Sequence, residues 1–147
     1  MAISSAICNS FKQELLVGTH NFTASSGNSF KLALYTSSAS LGAGTTAYSS
    51  SNEVSGSGYS AGGAALTNTG VGLTSTTAFT DFSDVSFTSA SFTANGCLIY
   101  NTTTAGGSGT TNAVCAIAFG GDKTVSSGTF TIQFPTNDSS SAIIRLT

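Results

Sequence analysis

Alternating apolar and polar positions run through most of the chain after residue 30, a pattern typical of β-strands. Phe130, Ile132 and Phe134 face one way while Thr131 and Gln133 face the other. Similar runs occur at 30–35, 76–87, 90–94, 96–101, 113–121, 128–134 and 142–147. Gly-, Ser- and Asn-rich separators, including the Gly-Gly pair at 120–121, are predicted turns. About seven short strands predict a mainly β fold, an antiparallel β-sandwich or a jelly-roll-like barrel.

The first twenty residues follow a helical period instead. Apolar residues recur there every four positions, at Ile3, Ile7, Phe11 and Leu15. Ser4 and Ser5 are candidate N-caps and Gly18 is a candidate stop, so the spacing predicts one short amphipathic helix over residues 4–17. Such a helix either plugs the open end of a sheet or docks on a neighbouring subunit, and we expect its apolar residues to anchor the sheet or the partner.

The segment from 37 to 77 is dominated by Ser, Thr, Gly and Ala, with few apolar residues. It is compatible with a long projecting loop or with weak strands that have Thr/Ser faces. A structureless loop of this length is unusual in a compact domain. We therefore expect part of it to pair, with 44–62 as exposed, peripheral loop, within a single β domain over residues 1–147.

Composition excludes several functions. Of 147 residues, 7% are charged and the net charge is −2, whereas Ser and Thr make up a third of the chain. The only basic residues are Lys12, Lys31, Lys123 and Arg145. Four scattered cations cannot build a nucleic-acid interface or a patch that binds anionic membranes. The first residues lack the pattern of a secretory signal, so we expect synthesis and folding in the cytoplasm.

The three cysteines, Cys8, Cys97 and Cys115, have neither the spacing of a zinc site nor that of a disulfide framework. We expect them to be small buried hydrophobic residues. Nothing in the sequence predicts a metal ion or another cofactor.

No convincing catalytic motif is present. Residues 58–62 match the G-x-S-x-G pattern around Ser60, but the strand-turn-helix setting that this motif needs is missing. His20, the only histidine, is expected to cap carbonyl groups at the end of the helix. Asp81 and Asp84, three residues apart, would face opposite sides of a strand. No catalytic residue is therefore assigned.

Several segments resemble small virion structural proteins of tailed phages, particularly phages of aquatic bacteria. They are AICNSFKQELLVGTHNF (6–22), the run from FKLALY to SAGG (30–63), GCLIYN (96–101), AIAFGGDKTVSSGTFTIQFP (116–135) and AIIRL (142–146). The resemblance spans nearly the whole chain. It implies a non-enzymatic virion component, expected to be a capsid decoration (cement) protein that bridges major capsid subunits, as a homotrimer. The alternative is a tail, neck, baseplate or fibre-attachment component.

A third hypothesis is a receptor- or carbohydrate-binding module. Sites of that kind use exposed aromatic residues with convergent polar groups, and Tyr48 and Tyr59 in the polar segment are the only candidates. The predicted interface residues are thus Ile7, Phe11, Leu15, Tyr48 and Tyr59.

Overall fold

Two antiparallel sheets pack against each other in the computed structural model, which describes residues 2–103 and 111–147. In chain order the elements are β1 (Ala6–Ile7), α1 (Asn9–Leu16), β2 (Phe30–Tyr35), β3 (Ala64–Ala65), β4 (Asn68–Thr74), β5 (Thr77–Phe82), β6 (Val85–Asn101), β7 (Asn112–Ile132) and β8 (Ile144–Leu146). One sheet has the order β1-β7-β6-β2-β3 and the other the order β4-β5-β8. The predicted mainly β, sandwich-like fold with one short helix near the N-terminus is confirmed.

Strands β6 and β7 form one long hairpin. The sequence pattern predicted several short strands over the residues of each. Pairing runs from Val85 opposite Ile132 to Asn101 opposite Asn112. The predicted turn at 120–121 is wrong, because residues 119–122 bulge out opposite Asn95 alone and pairing then resumes. Gly120 and Gly121 have φ angles of 76° and 143°, a region that glycine adopts without steric cost. The glycines therefore bend a strand instead of ending it.

The space between the two sheets is filled by phenylalanines. Phe22 stacks on Phe30 with ring centroids 4.5 Å apart, and Phe82 lies 5.6 Å from Phe30. Phe134 contacts Phe82 at 5.7 Å, and Phe11 of α1 contacts Phe22 at 5.9 Å. All five side chains are buried. Aromatic pairs at such separations stabilise a core beyond the area that they bury.

The helix is shorter than predicted and begins five residues later. Ile3 bridges to Leu41 and residues 6–7 pair with β7, so this part of the chain is extended. The spacing of apolar residues four positions apart is compatible with a helix. Here the backbone of these residues is extended instead, because its hydrogen-bonding groups pair with the sheet. Cys8, not a serine, is the N-cap, and its side chain makes no capping hydrogen bond. The predicted stop is confirmed: Gly18 has φ 76° and its N–H donates to the Leu15 carbonyl oxygen at 3.2 Å.

Residues 36–63 lie against the five-stranded sheet and bridge to β2, β6 and β7. The Val54 N–H donates to the Leu34 carbonyl oxygen at 2.9 Å, and the Thr36 N–H donates to the Asn52 carbonyl oxygen at 3.0 Å. Within the long polar segment, β3 and β4 are strands, whereas 44–62 is mainly coil with isolated bridges. The coil thus supplies hydrogen-bond partners along the edge of β2.

The buried face of α1 gives a test of this packing. Phe11 is fully buried, whereas Leu16 is 90% exposed. Phe11→Ala is expected to lower the free energy of unfolding by about 3–5 kcal/mol, because it opens a cavity among the core aromatics. Leu16→Ala, the matched control on the same helix, should change it by less than about 0.5 kcal/mol. Urea unfolding followed by circular dichroism measures both, and equal effects would contradict the orientation of the helix.

Candidate functional site

The predicted interface residues of the N-terminal region serve mainly this chain's own core. Phe11 is fully buried, so it anchors the sheet and cannot contact a partner in the folded protein. Ile7 lies in β1 opposite Cys115, outside the helix, and is half-buried against the core. Leu15 is half-buried and lines a small groove on the surface. Of these three residues, Leu15 remains a candidate contact.

Tyr48 and Tyr59 are half-buried and point their hydroxyl groups at one carboxylate, that of Glu53. The Tyr48 O–H donates to Glu53 Oε2 at 2.7 Å, and the Tyr59 O–H donates to Oε1 at 2.6 Å. The Gly62 N–H also donates to Oε1, at 2.8 Å. Tyr59 Oη in turn accepts a hydrogen bond from the Leu34 N–H at 2.8 Å. The tyrosine hydroxyl thus takes the place of the carbonyl oxygen that a neighbouring strand would offer to this N–H.

The other two tyrosines complete what we call the Glu53 cluster: Glu53 with Tyr35, Tyr48, Tyr59 and Tyr100. Tyr35 donates its O–H to the Ser49 carbonyl oxygen at 2.6 Å, and Tyr100 donates to that of Gly62 at 2.6 Å. The rings of Tyr48 and Tyr100 stack 4.7 Å apart. All these hydrogen bonds join the polar segment to itself or to β2 and β6, so the cluster fastens this segment onto the sheet.

The cluster also changes the chemistry of the tyrosines. Burial, with the neighbouring Glu53 carboxylate, raises the pKa of Tyr48 and of Tyr100 to about 12. The same causes raise the pKa of Tyr35 and of Tyr59 above the usual value. Tyr48 and Tyr59, the candidates for a glycan site, are half-buried, and their hydroxyl groups have partners inside the fold.

His20 belongs to a second buried network and does not cap carbonyl groups, contrary to the sequence prediction. Its Nε2 lies 2.5 Å from Glu14 Oε2, and Asn101 Nδ2 lies 3.0 Å from its Nδ1. Asn112 Nδ2 donates to the other Glu14 oxygen at 3.0 Å. The amide donor at Nδ1 places the ring proton on Nε2, facing the carboxylate. Neither ring nitrogen is left to take a proton from a nucleophile.

The remaining reactive groups also have structural roles or are buried. Asp81, fully buried, accepts from the N–H groups of Phe82 at 2.8 Å and Ile143 at 3.1 Å. Burial raises its pKa above the usual value. Ser60 lies in a turn without a following helix, so its G-x-S-x-G motif does not form a nucleophile elbow.

The three cysteines are buried and unpaired, which confirms the expectation that they are small core residues. Burial raises the pKa of Cys8 to about 11 and that of Cys115 to about 12. Thiols in this state are unreactive near neutral pH. Within residues 2–103 and 111–147, no three His, Cys, Asp or Glu side chains group as metal ligands, and no helix is long and apolar enough to cross a membrane.

The three-stranded sheet carries the clearest candidate for a binding surface. Val71, Leu73, Ala78 and Leu146 share one face of it, because Leu73 pairs with Ala78 and Ala78 with Leu146. We call these four residues the apolar face. Exposure there is 62% for Val71, 71% for Leu73 and 54% for Leu146. The same face is buried further along, at Thr80 and Ile144, so the sheet extends past the core that covers it.

The apolar face continues into a groove beside α1. This groove, of about 150 Å³, is lined by residues that include Leu15, Phe22, Val71, Ile144 and Leu146. Leu16 and Val17, at the end of the helix next to Leu15, are 90% and 69% exposed. Covering these two side chains and the three exposed side chains of the sheet would contribute about 5–10 kcal/mol, when about 1.5–3 kcal/mol per fully buried side chain is scaled by the exposed fraction of each. That range overlaps the free-energy cost of association, which comes from lost translational and rotational freedom. A single contact through this surface would therefore have modest affinity.

The sequence indicated this surface only in part. Glycines alternate with Val71 and Leu73 in NTGVGLT, a strand with one apolar face. Whether another element covers that face depends on contacts far away in the chain. Glu53, the centre of the tyrosine cluster, gave no signal in the sequence at all.

In comparisons with protein-family models, with curated protein sequences and with solved structures, the chain matches none of them.

The raised pKa values of the tyrosines give a pH prediction. A folded-state pKa above the unfolded value stabilises the fold fully below the unfolded pKa, and this contribution is lost as the pH rises through the folded pKa. For Tyr48 and Tyr100 the window lies between 10.0 and about 12. Ultraviolet titration is expected to show the native protein ionising its tyrosines well above the denatured protein, with stability falling through that window. Coincident titration curves would contradict the cluster.

Tyr59 and Tyr48 give a matched pair for mutation. Tyr59→Phe removes the donor to Glu53 and also leaves the Leu34 N–H without its acceptor, so we expect a loss of about 3 kcal/mol in unfolding free energy. Tyr48→Phe removes one hydrogen bond and should cost about 1.5 kcal/mol. Chemical denaturation measures both. A Tyr59 variant as stable as the native protein would show that its hydroxyl does not support β2.

Proposed function

We propose that this chain is a non-enzymatic structural component of a phage virion, a decoration (cement) protein that binds neighbouring major capsid subunits and bridges them. The apolar face is the observation that carries the proposal, because it leaves large apolar side chains uncovered at one end of a small sheet. Apolar patches rimmed by polar residues are typical of surfaces that bind other proteins. The sequence resemblance to phage virion proteins supplies the class of partner.

The scarcity of charge supports a role on a particle that meets variable ionic strength. The apolar face contains no charged residue. Among the described residues, the one close contact between a basic and an acidic side chain is that of His20 with Glu14, where the histidine side chain is buried. Salt screens contacts between exposed charges but not the burial of apolar surface. Binding through the apolar face would therefore persist at high salt.

Repetition of the capsid lattice supports the same role. A single apolar contact of this size gives modest affinity, as the association cost above implies. A protein that touches more than one lattice subunit gains from the second contact as an intramolecular event. Bridging adjacent capsid subunits converts weak contacts into stable attachment.

The non-enzymatic part of the proposal rests on how the reactive groups are used. Both oxygens of Glu53 and both of Asp81 accept hydrogen bonds within the fold. Both ring nitrogens of His20 have neighbours inside the protein. A general base or nucleophile needs a free atom within reach of a substrate, and these groups present none.

The number of copies per particle tests the position on the virion. Purified virions of the encoding phage are analysed by quantitative gel densitometry against the major capsid protein. Decoration predicts a copy number comparable with that of the capsid subunits. A small fixed number of copies would indicate a tail, neck or baseplate component and would contradict decoration, and absence from intact particles would contradict the virion role.

A substitution tests the surface. Leu73→Lys places a charge in the apolar face and is expected to weaken binding to particles assembled without the protein by at least about tenfold. Thr88→Lys, at an exposed position of β6, is the control and should bind like the native protein. Co-sedimentation at low and high salt measures both variants, and binding of native protein should survive the high-salt arm. Equal binding by the two variants would show that the apolar face is not the contact.

A further inference from the structure

The second half of β7 is an open sheet edge. β1 pairs with β7 only at Cys115 and Ala116. Beyond those residues, the described chain places no strand beside β7 on the side away from β6, up to Ile132. An open edge presents a row of backbone N–H and C=O groups that can pair with another strand.

This edge lacks most of the features that usually block strand addition. Residues 124–134 contain no charged residue and no proline. Charged side chains and prolines are two features by which natural proteins prevent pairing at an exposed edge. One bulge is present, because residues 126–127 lie opposite Ser91 alone. β7 itself has no further bulge beyond Gly128, although β6 bulges at 88–89 opposite Thr129. The stretch of β7 open to a new strand is therefore 128–132.

The two faces of this stretch differ. Phe130 and Ile132 are half-buried and lie on the same face as their β6 neighbours Phe87 and Val85. Thr129 and Thr131 are exposed on the other face. The stretch is therefore amphipathic, with an apolar side that a further strand would extend.

We propose that two copies of this chain pair through residues 128–132 of β7, antiparallel about a two-fold axis at Phe130. In this register Phe130 lies opposite the partner's Phe130, and Thr129 lies opposite the partner's Thr131. Gly128 lies opposite the partner's Ile132, so the glycine leaves room for the larger side chain. The two hairpins form one continuous four-stranded ribbon, so the proposed oligomer is a dimer in place of the homotrimer that the sequence resemblance implied.

A second copy is the occupant because the edge is complementary to itself. An uncharged edge brings no like charges together when it meets an identical one. Hydroxyl pairs across neighbouring strands already occur on this ribbon, at 2.8 Å between Ser86 and Thr131 and at 2.8 Å between Thr93 and Thr124. The Thr129–Thr131 pairs repeat them. Since both copies contribute the same residues, the contact closes as a dimer and does not propagate.

The surface beside the edge enlarges the contact. A groove of about 410 Å³ adjoins residues 131–132 and is lined by apolar residues that include Ile117, Phe119, Phe134 and Ile143. A paired segment of five residues is only about 17 Å long, and a standard interface buries about 800 Å² on each partner. Aromatic side chains at the edge and the groove next to it supply apolar area that the strand alone does not.

The test uses the purified full-length protein without capsids. Analytical ultracentrifugation over a concentration series is expected to show a reversible monomer–dimer equilibrium. In the double variant Thr129→Lys/Thr131→Lys, like charges lie directly opposite each other in the proposed register. The dimer dissociation constant should rise by at least about tenfold.

Two controls separate edge pairing from other effects. Ser86→Lys/Thr88→Lys carries the same charges on the same face of β6, and it also loses the Ser86–Thr131 hydroxyl pair, yet it should dimerise like the native protein. Mixing the Lys double variant with Thr129→Glu/Thr131→Glu should restore a mixed dimer, because opposite charges then face each other. Circular dichroism checks that every variant is folded.

A disulfide tests the register itself. Antiparallel partners directly opposite have Cα atoms about 4.5–5.5 Å apart, within the reach of a disulfide. Phe130→Cys should therefore give a covalent dimer when oxidised glutathione takes up the two electrons, whereas Thr131→Cys, whose copies are not opposite each other, should not.

Monomers at every concentration, a trimer, equal dissociation by both Lys double variants, or efficient cross-linking of Thr131→Cys would each overturn the proposal. The Leu73→Lys variant should still dimerise, so failure of this proposal is distinguishable from failure of capsid binding through the apolar face.

Discussion

The hydrogen bonds of the Glu53 cluster fasten a long polar segment onto the five-stranded sheet. This segment has too few apolar residues to hold itself in place by burial. Four tyrosines solve the problem, because each supplies an apolar ring to the packing and one hydroxyl to a defined partner. The edge of β2 depends on the result, since its N–H at Leu34 has a tyrosine hydroxyl as its acceptor.

Few reactive side chains are left on the surface of the described chain, because many of them have partners within the fold. Glu14, Glu53 and Asp81 are hydrogen-bonded within the fold, and the histidine and the three thiols are buried. Hydroxyl groups are the most frequent polar groups on the rest of the surface. Against this background two features stand out: the apolar face of the small sheet and the open edge of β7. They lie on different strands, so the proposed capsid contact and the proposed dimer contact can form at the same time. Two independent contacts on one molecule would suit the role proposed above in a repeating shell.

Local patterns predicted the strands well, since alternation at residues such as Phe130 and Ile132 follows directly from the two-residue period of a strand. These local patterns gave the wrong element where the same residues are compatible with two different structures. Gly120 and Gly121 suit a turn and a bulge equally, and only the continued pairing of β6 and β7 decides between them. Ile3 and Ile7 suited a helix until distant strands offered pairing. Glu53 and the uncovered side of Val71 were beyond prediction, because burial and hydrogen bonding there depend on residues far apart in sequence.

Amide hydrogen exchange of the native protein, resolved by residue across 36–63, tests the role of the Glu53 cluster most directly. Protection of the Val54 and Gly62 amides comparable with that of the amides of β2 is the expected result, because the first donates to the Leu34 carbonyl oxygen and the second to Glu53. Exchange of both amides at the rate of an unstructured chain, while the amides of β2 and β6 stay protected, would contradict it.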